Sequence, residues 1–425
     1  MTLAFSFRPS LTARRFCAIA GLVASVTLAG CQTAPLTPKP ASPIGPAAPE
    51  APPPPNTHPM LSDEPNFLRL GNIPAGKTPV RIGLLLPFSN GSAQTRVLAN
   101  SLMKAAQLAL FDANNPNIIL ISADEGSTPE SAANGARSLL AQGAEVIVGP
   151  LFSASVSAVA PLARDRVVPV ISFSTDKTVA GNGVYLLSFQ PENEIRRIIS
   201  YAASQGHKNF AALVPPTSYG QHVSDAMKAE ATADGGQVVD VEKLDPAVQG
   251  TAVHNVGTSN ADAVLIAEGG QALRELAPTL SDNGLDTTKV KLLGSGLWYD
   301  QANNKETSLE GGIFAAPAPN SDEAFNAKYK AAFGAVPPQL ATLAYDAVSL
   351  VALLSAGEPY HRFTANALTD PNGFAGIDGI FRFNADGTSE RGLAILSVEP
   401  DGFRVVDPAP HTFEKPAEPE KKPAS

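Results

Sequence analysis

Short, unbroken apolar runs alternate with helical stripes along most of this chain. Residues 82–86, 118–121, 146–148 and 167–171 are apolar almost throughout, the pattern of strands buried on both faces. Between them, 95–111 carries Leu98, Leu102, Ala105, Ala106 and Ala109 at helical spacing, 129–142 opens on Pro129 and stops at Gly143, and 153–163 follows suit. The series then restarts. It predicts helices over 192–204, 219–233 and 271–281, and strands over 210–214, 238–244, 263–267 and 291–294. Helices are expected again over 322–333 and 340–354, and a hairpin region from 380–383 through Asp386-Gly387 to 393–398. Strands alternating with helices imply right-handed crossovers and parallel sheets. Two such series predict an α/β protein of two doubly wound parallel-sheet lobes, and helices returning after the second series predict a multi-strand hinge.

The ends of the chain have another texture. Arg8, Arg14 and Arg15 precede an apolar run over 16–28, too short to span a bilayer and suited to an export signal. Its ending, Leu28-Ala29-Gly30-Cys31, resembles the bacterial lipobox, which implies cleavage before Cys31 and lipidation of that residue. Because Gln32 is not the aspartate associated with inner-membrane retention, the resemblance implies anchoring at the periplasmic face of the outer membrane. From Pro35 to Pro59, 11 of 25 residues are proline, so a polyproline II spacer on the order of 75 Å long is expected. The resulting division is a signal over 1–30, the lipidated cysteine and Pro/Ala-rich linker over 31–79, lobe 1 over 80–190 plus 318–372, lobe 2 over 191–317 plus 373–407, and a disordered tail over 408–425.

Composition narrows the function. With 31 basic against 40 acidic side chains, the 425-residue chain carries a net charge of −9, which argues against nucleic-acid binding. Cys17 leaves with the signal and Cys31 is lipidated, so no thiol remains for redox or metal chemistry; no metal or cofactor is expected.

Several segments carry a resemblance. Ile82-Gly83-Leu84-Leu85-Leu86-Pro87-Phe88-Ser89, Val146-Ile147-Val148-Gly149-Pro150 with Ser153, and Val168-Pro169-Val170-Ile171-Ser172 occur in this order in type I periplasmic binding proteins. The chain resembles that family, whose best-known members are the branched-chain amino-acid receptors, over nearly all of 80–400. Tyr219-Gly220 and Tyr345-Asp346-Ala347-Val348 agree with it. A lipobox and proline tether ahead of this body, with Gly149-Pro150-Leu151-Phe152 and Phe173-Ser174-Thr175-Asp176 inside it, resemble the penicillin-binding protein activators, outer-membrane lipoproteins that stimulate peptidoglycan synthases.

Open α/β sheets bind ligands beyond the carboxyl ends of their strands. Those ends offer Phe88, Ser89, Asn90, Asp124, Ser153, Ser155, Ser172, Ser174 and Thr175 in lobe 1, and Tyr219, Glu268 and Trp298 in lobe 2. The hydroxyls and the amides at the start of the 153–163 helix could hold a carboxylate, or could simply cap helices and turn loops. By the resemblance, an amino-acid receptor places a carboxylate after the strand at 292–294, where this chain reads Ser295-Gly296-Leu297-Trp298, with Glu268 as a substitute or a solvated loop residue. A buried ammonium without a charged partner is costly, so amino-acid binding loses ground to sugars, amides or peptides. Catalytic motifs are fragmentary. Ser101-Leu102-Met103-Lys104, Ser174-Thr175-Asp176-Lys177 and Ser281-Asp282-Asn283 mimic part of a β-lactamase set, but no Lys-Thr-Gly follows. Two non-enzymatic readings result: a lipid-anchored module that docks on a peptidoglycan synthase, and a receptor that delivers an amino acid or another small polar ligand to an ABC importer.

Overall fold

The apolar runs sort into two sheets according to which helices cover them. The computed structural model describes residues 67–71, 78–359 and 361–413. In its first half, strands β1 (Phe67–Leu68), β2 (Val80–Leu86), β3 (Ile118–Asp124), β4 (Val146–Val148), β5 (Val170–Ser172) and β6 (Val184–Leu186) lie in the order β1-β3-β2-β4-β5-β6. β2 to β6 run parallel, and β1 adds antiparallel at the β3 edge. Alternate residues of β2 serve both faces. Ile82, Leu84 and Leu86 meet α1 (Ala93–Ala113), while Leu85 meets α2 (Pro129–Ala141) and α3 (Ser153–Arg164), which is why the run shows no polar alternation. Ser92 caps α1 by accepting the Thr95 amide. Thr128 and Ser131 cap α2 reciprocally, ahead of Pro129 in its first turn.

The second half repeats the scheme. It runs α4 (Pro191–Ser204), β7 (Asn209–Val214), α5 (Ser218–Ala233), β8 (Gln237–Lys243), α6 (Gln249–Thr258), β9 (Ala263–Ile266), α7 (Gly270–Leu276), β10 (Lys291–Gly294) and β11 (Ile313–Ala316). After it come α8 (Glu323–Phe333), α9 (Ala341–Leu354), α10 (Ala365–Leu368), β12 (Phe381–Phe383), β13 (Ser389–Arg391), β14 (Ala394–Glu399) and β15 (Gly402–Asp407). The second sheet has the order β15-β14-β11-β10-β9-β7-β8; its β14 and β15 are antiparallel, so this sheet is mixed. α8 and α9 return to the first sheet, where Phe325, Tyr329 and Val348 join the core of Ile82 and Leu102. The chain therefore passes between lobes three times, over 187–190, 317–322 and 392–393.

Four sequence expectations shift. The 373–391 stretch, assigned to lobe 2, packs on lobe 1, because Phe374, Phe381 and Phe383 join its core and Phe383 meets Tyr185 at 5.3 Å. The 393–398 run does not complete a hairpin with 380–383; it pairs with β11, and β12 pairs with β13 instead. Phe67–Leu68, inside the expected linker, forms β1. At the other end, the expected tail is packed through Phe413, whose ring lies 4.5 Å under the Arg382 guanidinium. The signal, Cys31, most of the linker and the remainder of the tail lie outside the described residues. No helix among the described residues is long and apolar enough to cross a membrane.

The turn after α3 holds Val167 at φ 57° and 91% exposed. A β-branched residue in the left-handed region is strained, and here no burial offsets the strain. Val167→Asn is expected to stabilise the fold by about 1 kcal/mol. A thermal melt showing no rise would contradict that account.

Candidate functional site

The carboxyl ends of both sheets bring polar groups to the side from which the chain crosses between lobes. In lobe 1, β3 ends in two adjacent acids with different tasks. Asp124 accepts the amides of Ser89 at 3.1 Å and Gly126 at 2.9 Å, tying the loops after β2 and β3 together. Burial pushes its carboxyl up, but the Ser89 hydroxyl and those amides outweigh it and hold the group below the usual range. Glu125 is wholly buried and accepts the amides of Leu151 at 2.9 Å and Phe152 at 3.1 Å. Burial raises its pKa despite those bonds and one from Ser155. The loop they secure needs glycine at 149, where φ is +94° and a Cβ would sit 2.0 Å from the Leu85 carbonyl oxygen.

The expected hydroxyls divide into two sets. Ser155, Ser172 and Ser174 are buried and serve their own loops: Ser155 bonds Glu125, Ser172 donates to the Pro150 carbonyl at 2.9 Å, and Ser174 accepts the Asp176 amide at 3.1 Å. Ser155 and Ser174, both expected as ligand contacts, are thus bonded within their own loops, although each hydroxyl keeps further hydrogen-bonding capacity. Thr175 and Ser89 are exposed, while Phe88 and Ser153 are partly exposed; these four remain open. The Ser153 hydroxyl reaches Asp176, whose carboxyl is held low chiefly by the Thr178 hydroxyl.

In lobe 2, Tyr219 lies in the first turn of α5 and donates to the Ser295 hydroxyl, after β10, at 2.9 Å. Trp298 does not face the cleft. It is fully buried, packs with Phe314 in the lobe core, and donates its indole N–H to the Ile266 carbonyl at 3.1 Å. Its place at the β10 end is taken by Leu297, which is 47% exposed.

A carboxylate does reach the end of β10, from another element. Glu194, in the first turn of α4, accepts the Gly296 amide at 2.8 Å, just past the end of β10. A Cβ at 296 would stand 2.7 Å from Glu194 Oε1, so a larger residue there would push the carboxylate aside. Burial pushes the Glu194 carboxyl up to about 7, against the Gly296 amide and helped by the charge of Glu192. Glu268, after β9, is likewise raised by burial, and both acids act with burial to push the Tyr219 hydroxyl up. Glu192 lies 3.3 Å from Lys177 of lobe 1, an ionic contact across the lobes beside the first crossing, and 3.8 Å from His222 Nδ1 of lobe 2.

Neither Glu125 nor Glu194 was expected. Two sequence signals pointed to them: a second acid directly after Asp124, and the acids of the Pro191-Glu192-Asn193-Glu194 helix start.

The periplasmic binding protein family model matches residues 79–403. A protein described as a branched-chain amino acid ABC transporter from Rhodospirillum rubrum superposes with a TM-score of 0.68 at 19% identity, covering 77% of this chain and 100% of that one. A solute binding protein of an ABC transporter from R. palustris, in complex with benzoate, superposes with a TM-score of 0.53 at 19% identity, covering 77% and 96%. An uncharacterized protein of Rickettsia prowazekii (strain Madrid E) is 26% identical over 149 residues, 35% of this chain, and the match spans 39% of that relative's length.

Proposed function

We propose that this chain, which belongs to the periplasmic binding protein family, is a solute receptor that grips a small polar ligand bearing an ammonium group between its lobes. The observation that carries the reading is the Glu194 carboxylate, recessed at the end of β10 and oriented by the Gly296 amide. A recessed carboxylate with a free oxygen gives a cation an ion pair sheltered from water, where such pairs are strongest. Glu268 adds a second negative charge, while Ser89, Ser153 and Thr175 opposite can accept or donate to the ligand's other polar end. The site is therefore better matched to an amine or amino acid than to a plain aromatic acid such as the benzoate held by the R. palustris protein. A panel of amines, amino acids, sugars and aromatic acids, read by thermal shift, tests it. An ammonium-bearing solute at about 100 times its Kd is expected to stabilise the protein by about 2.7 kcal/mol. Stabilisation by aromatic acids alone would overturn the reading.

A second reading rests on the Leu28-Ala29-Gly30-Cys31 ending and the proline-rich stretch behind it. In it, the body is held by lipid at the outer membrane and activates a peptidoglycan synthase. Co-purification of a bifunctional synthase from native membranes, with faster glycan polymerisation on adding the protein, would support it; neither result appearing would remove it.

A further inference from the structure

We propose that lobe 1 carries a second ligand site at the amino ends of its strands, away from Glu194, built for a small amphiphile with a single negative charge. A cavity of about 740 Å³ opens there, where α2 and α3 end and β4, β5 and β6 begin. Its size falls within the range of small-molecule sites, roughly 300–1,000 Å³. Leu140, Ala144, Val168, Pro169 and Phe363 make its wall largely apolar.

Charge at the mouth gives the occupant its sign. Arg164 and Arg166 both line the cavity. Arg164 has only the Asn182 carbonyl, at 3.4 Å, and the Arg166 guanidinium has no acidic partner within reach among the described residues. Arg81 adds a third such guanidinium, lying over Gly143, where a Cβ would stand 3.7 Å from its Nη1. Elsewhere among the described residues, Arg69 and Arg96 also lack a carboxylate partner, Arg96 being bonded to the Asn90 and Gly91 carbonyls. Eight other arginines among the described residues, including Arg197, Arg274, Arg362 and Arg391, have a carboxylate within 4.0 Å. The acid that does line the cavity, Glu145, is held by Arg362, with Glu145 Oε2 at 3.3 Å from Nε, so it does not cancel the charge at the mouth. Guanidinium groups clamp carboxylate, sulfate or phosphate oxygens, and the apolar wall requires the rest of the ligand to be hydrocarbon. Val167, 91% exposed between Arg166 and the wall, extends the apolar rim outward.

The test uses the full chain and decanoate, with decyltrimethylammonium and decanol as controls of opposite and zero charge. Calorimetric titration is expected to show one decanoate per chain, bound at least about tenfold more tightly than either control. The Arg164→Glu/Arg166→Glu pair should weaken decanoate by about tenfold or more, with the unliganded melting temperature unchanged because both side chains are exposed. Arg164→Lys/Arg166→Lys should retain part of the affinity, and Glu194→Gln should leave it untouched, which separates this site from the cleft between lobes. Equal binding of the cationic amphiphile, or decanoate binding indifferent to the charge reversal, would overturn the proposal.

Discussion

Replacing Glu194 with glutamine is expected to lower affinity for an ammonium-bearing solute by about 100-fold, roughly 2.7 kcal/mol. The glutamine keeps the hydrogen bond from Gly296 but removes the charge, so the loss reports the ion pair and not the fold. The pH dependence supplies a second signature. With its carboxyl near 7, Glu194 must lose a proton to pair with a cation, so affinity in the native protein should rise by about tenfold from pH 6 to 8. Stability should move the other way. Burial favours the protonated form in the folded state, so that contribution is complete below about 4.5 and is lost as pH rises through about 7. The unliganded protein should therefore lose up to about 3 kcal/mol across that window, less where solvent reaches the carboxyl, and Glu194→Gln should flatten the curve. Titration calorimetry and denaturant unfolding at both ends of the window check the two signs. An affinity that is flat with pH in the native protein would count against Glu194 as the cation's partner.

Arg391→Met is expected to cost about 3–5 kcal/mol of stability. Arg391 ends β13 at the third crossing, with its Nη1 3.7 Å from Asp346 of α9 and both side chains almost wholly buried. Its guanidinium also lies 5.0 Å from the ring of Phe189 in the first crossing and 5.6 Å from that of Phe381. Two crossings and a lobe 1 helix thus share one cation. Burial already pushes Asp346 up to about 7 with Arg391 in place, and raises Asp378 as well. Without the arginine both acids must take up protons to remain inside, so the loss should be larger at pH 8 than at pH 5. Asp346→Asn added to Arg391→Met should recover part of it. Urea midpoints at the two pH values measure this, and a loss below about 1 kcal/mol at pH 8 would show that the pair is not what secures the crossing.

Strands were legible at apolar runs such as 82–86, 118–121 and 263–267, but not at β11, although Ile313-Phe314-Ala315-Ala316 is an apolar run buried throughout. β6 was not, because Val184-Tyr185-Leu186 is only three residues after the Gly181-Asn182-Gly183 turn; α6 was not, because Gly250 and Gly257 dilute its stripe. The mixed second sheet escaped notice for a different reason. Its antiparallel edge comes from 394–407, far from the parallel series it completes, and local periodicity carries no record of such pairing. The site followed the same division. Residues directly after strands, such as Ser89, Asp124 and Glu268, could be found by counting from the apolar runs. For Glu194 the helix start marks an acid but not its place in the site, since its partner Gly296 lies 102 positions away. Trp298 was misplaced because a tryptophan after a strand looks the same in sequence whether its ring faces solvent or turns under the sheet.

Hydrogen–deuterium exchange with and without the stabilising solute tests the central claim most directly. A ligand held between the lobes should slow exchange at the carboxyl ends of both sheets together, at residues 88–90 and 151–155 in lobe 1 and at 217–220, 268–270 and 295–297 in lobe 2. Protection confined to one lobe, or absent from the Glu194–Gly296 contact, would contradict it.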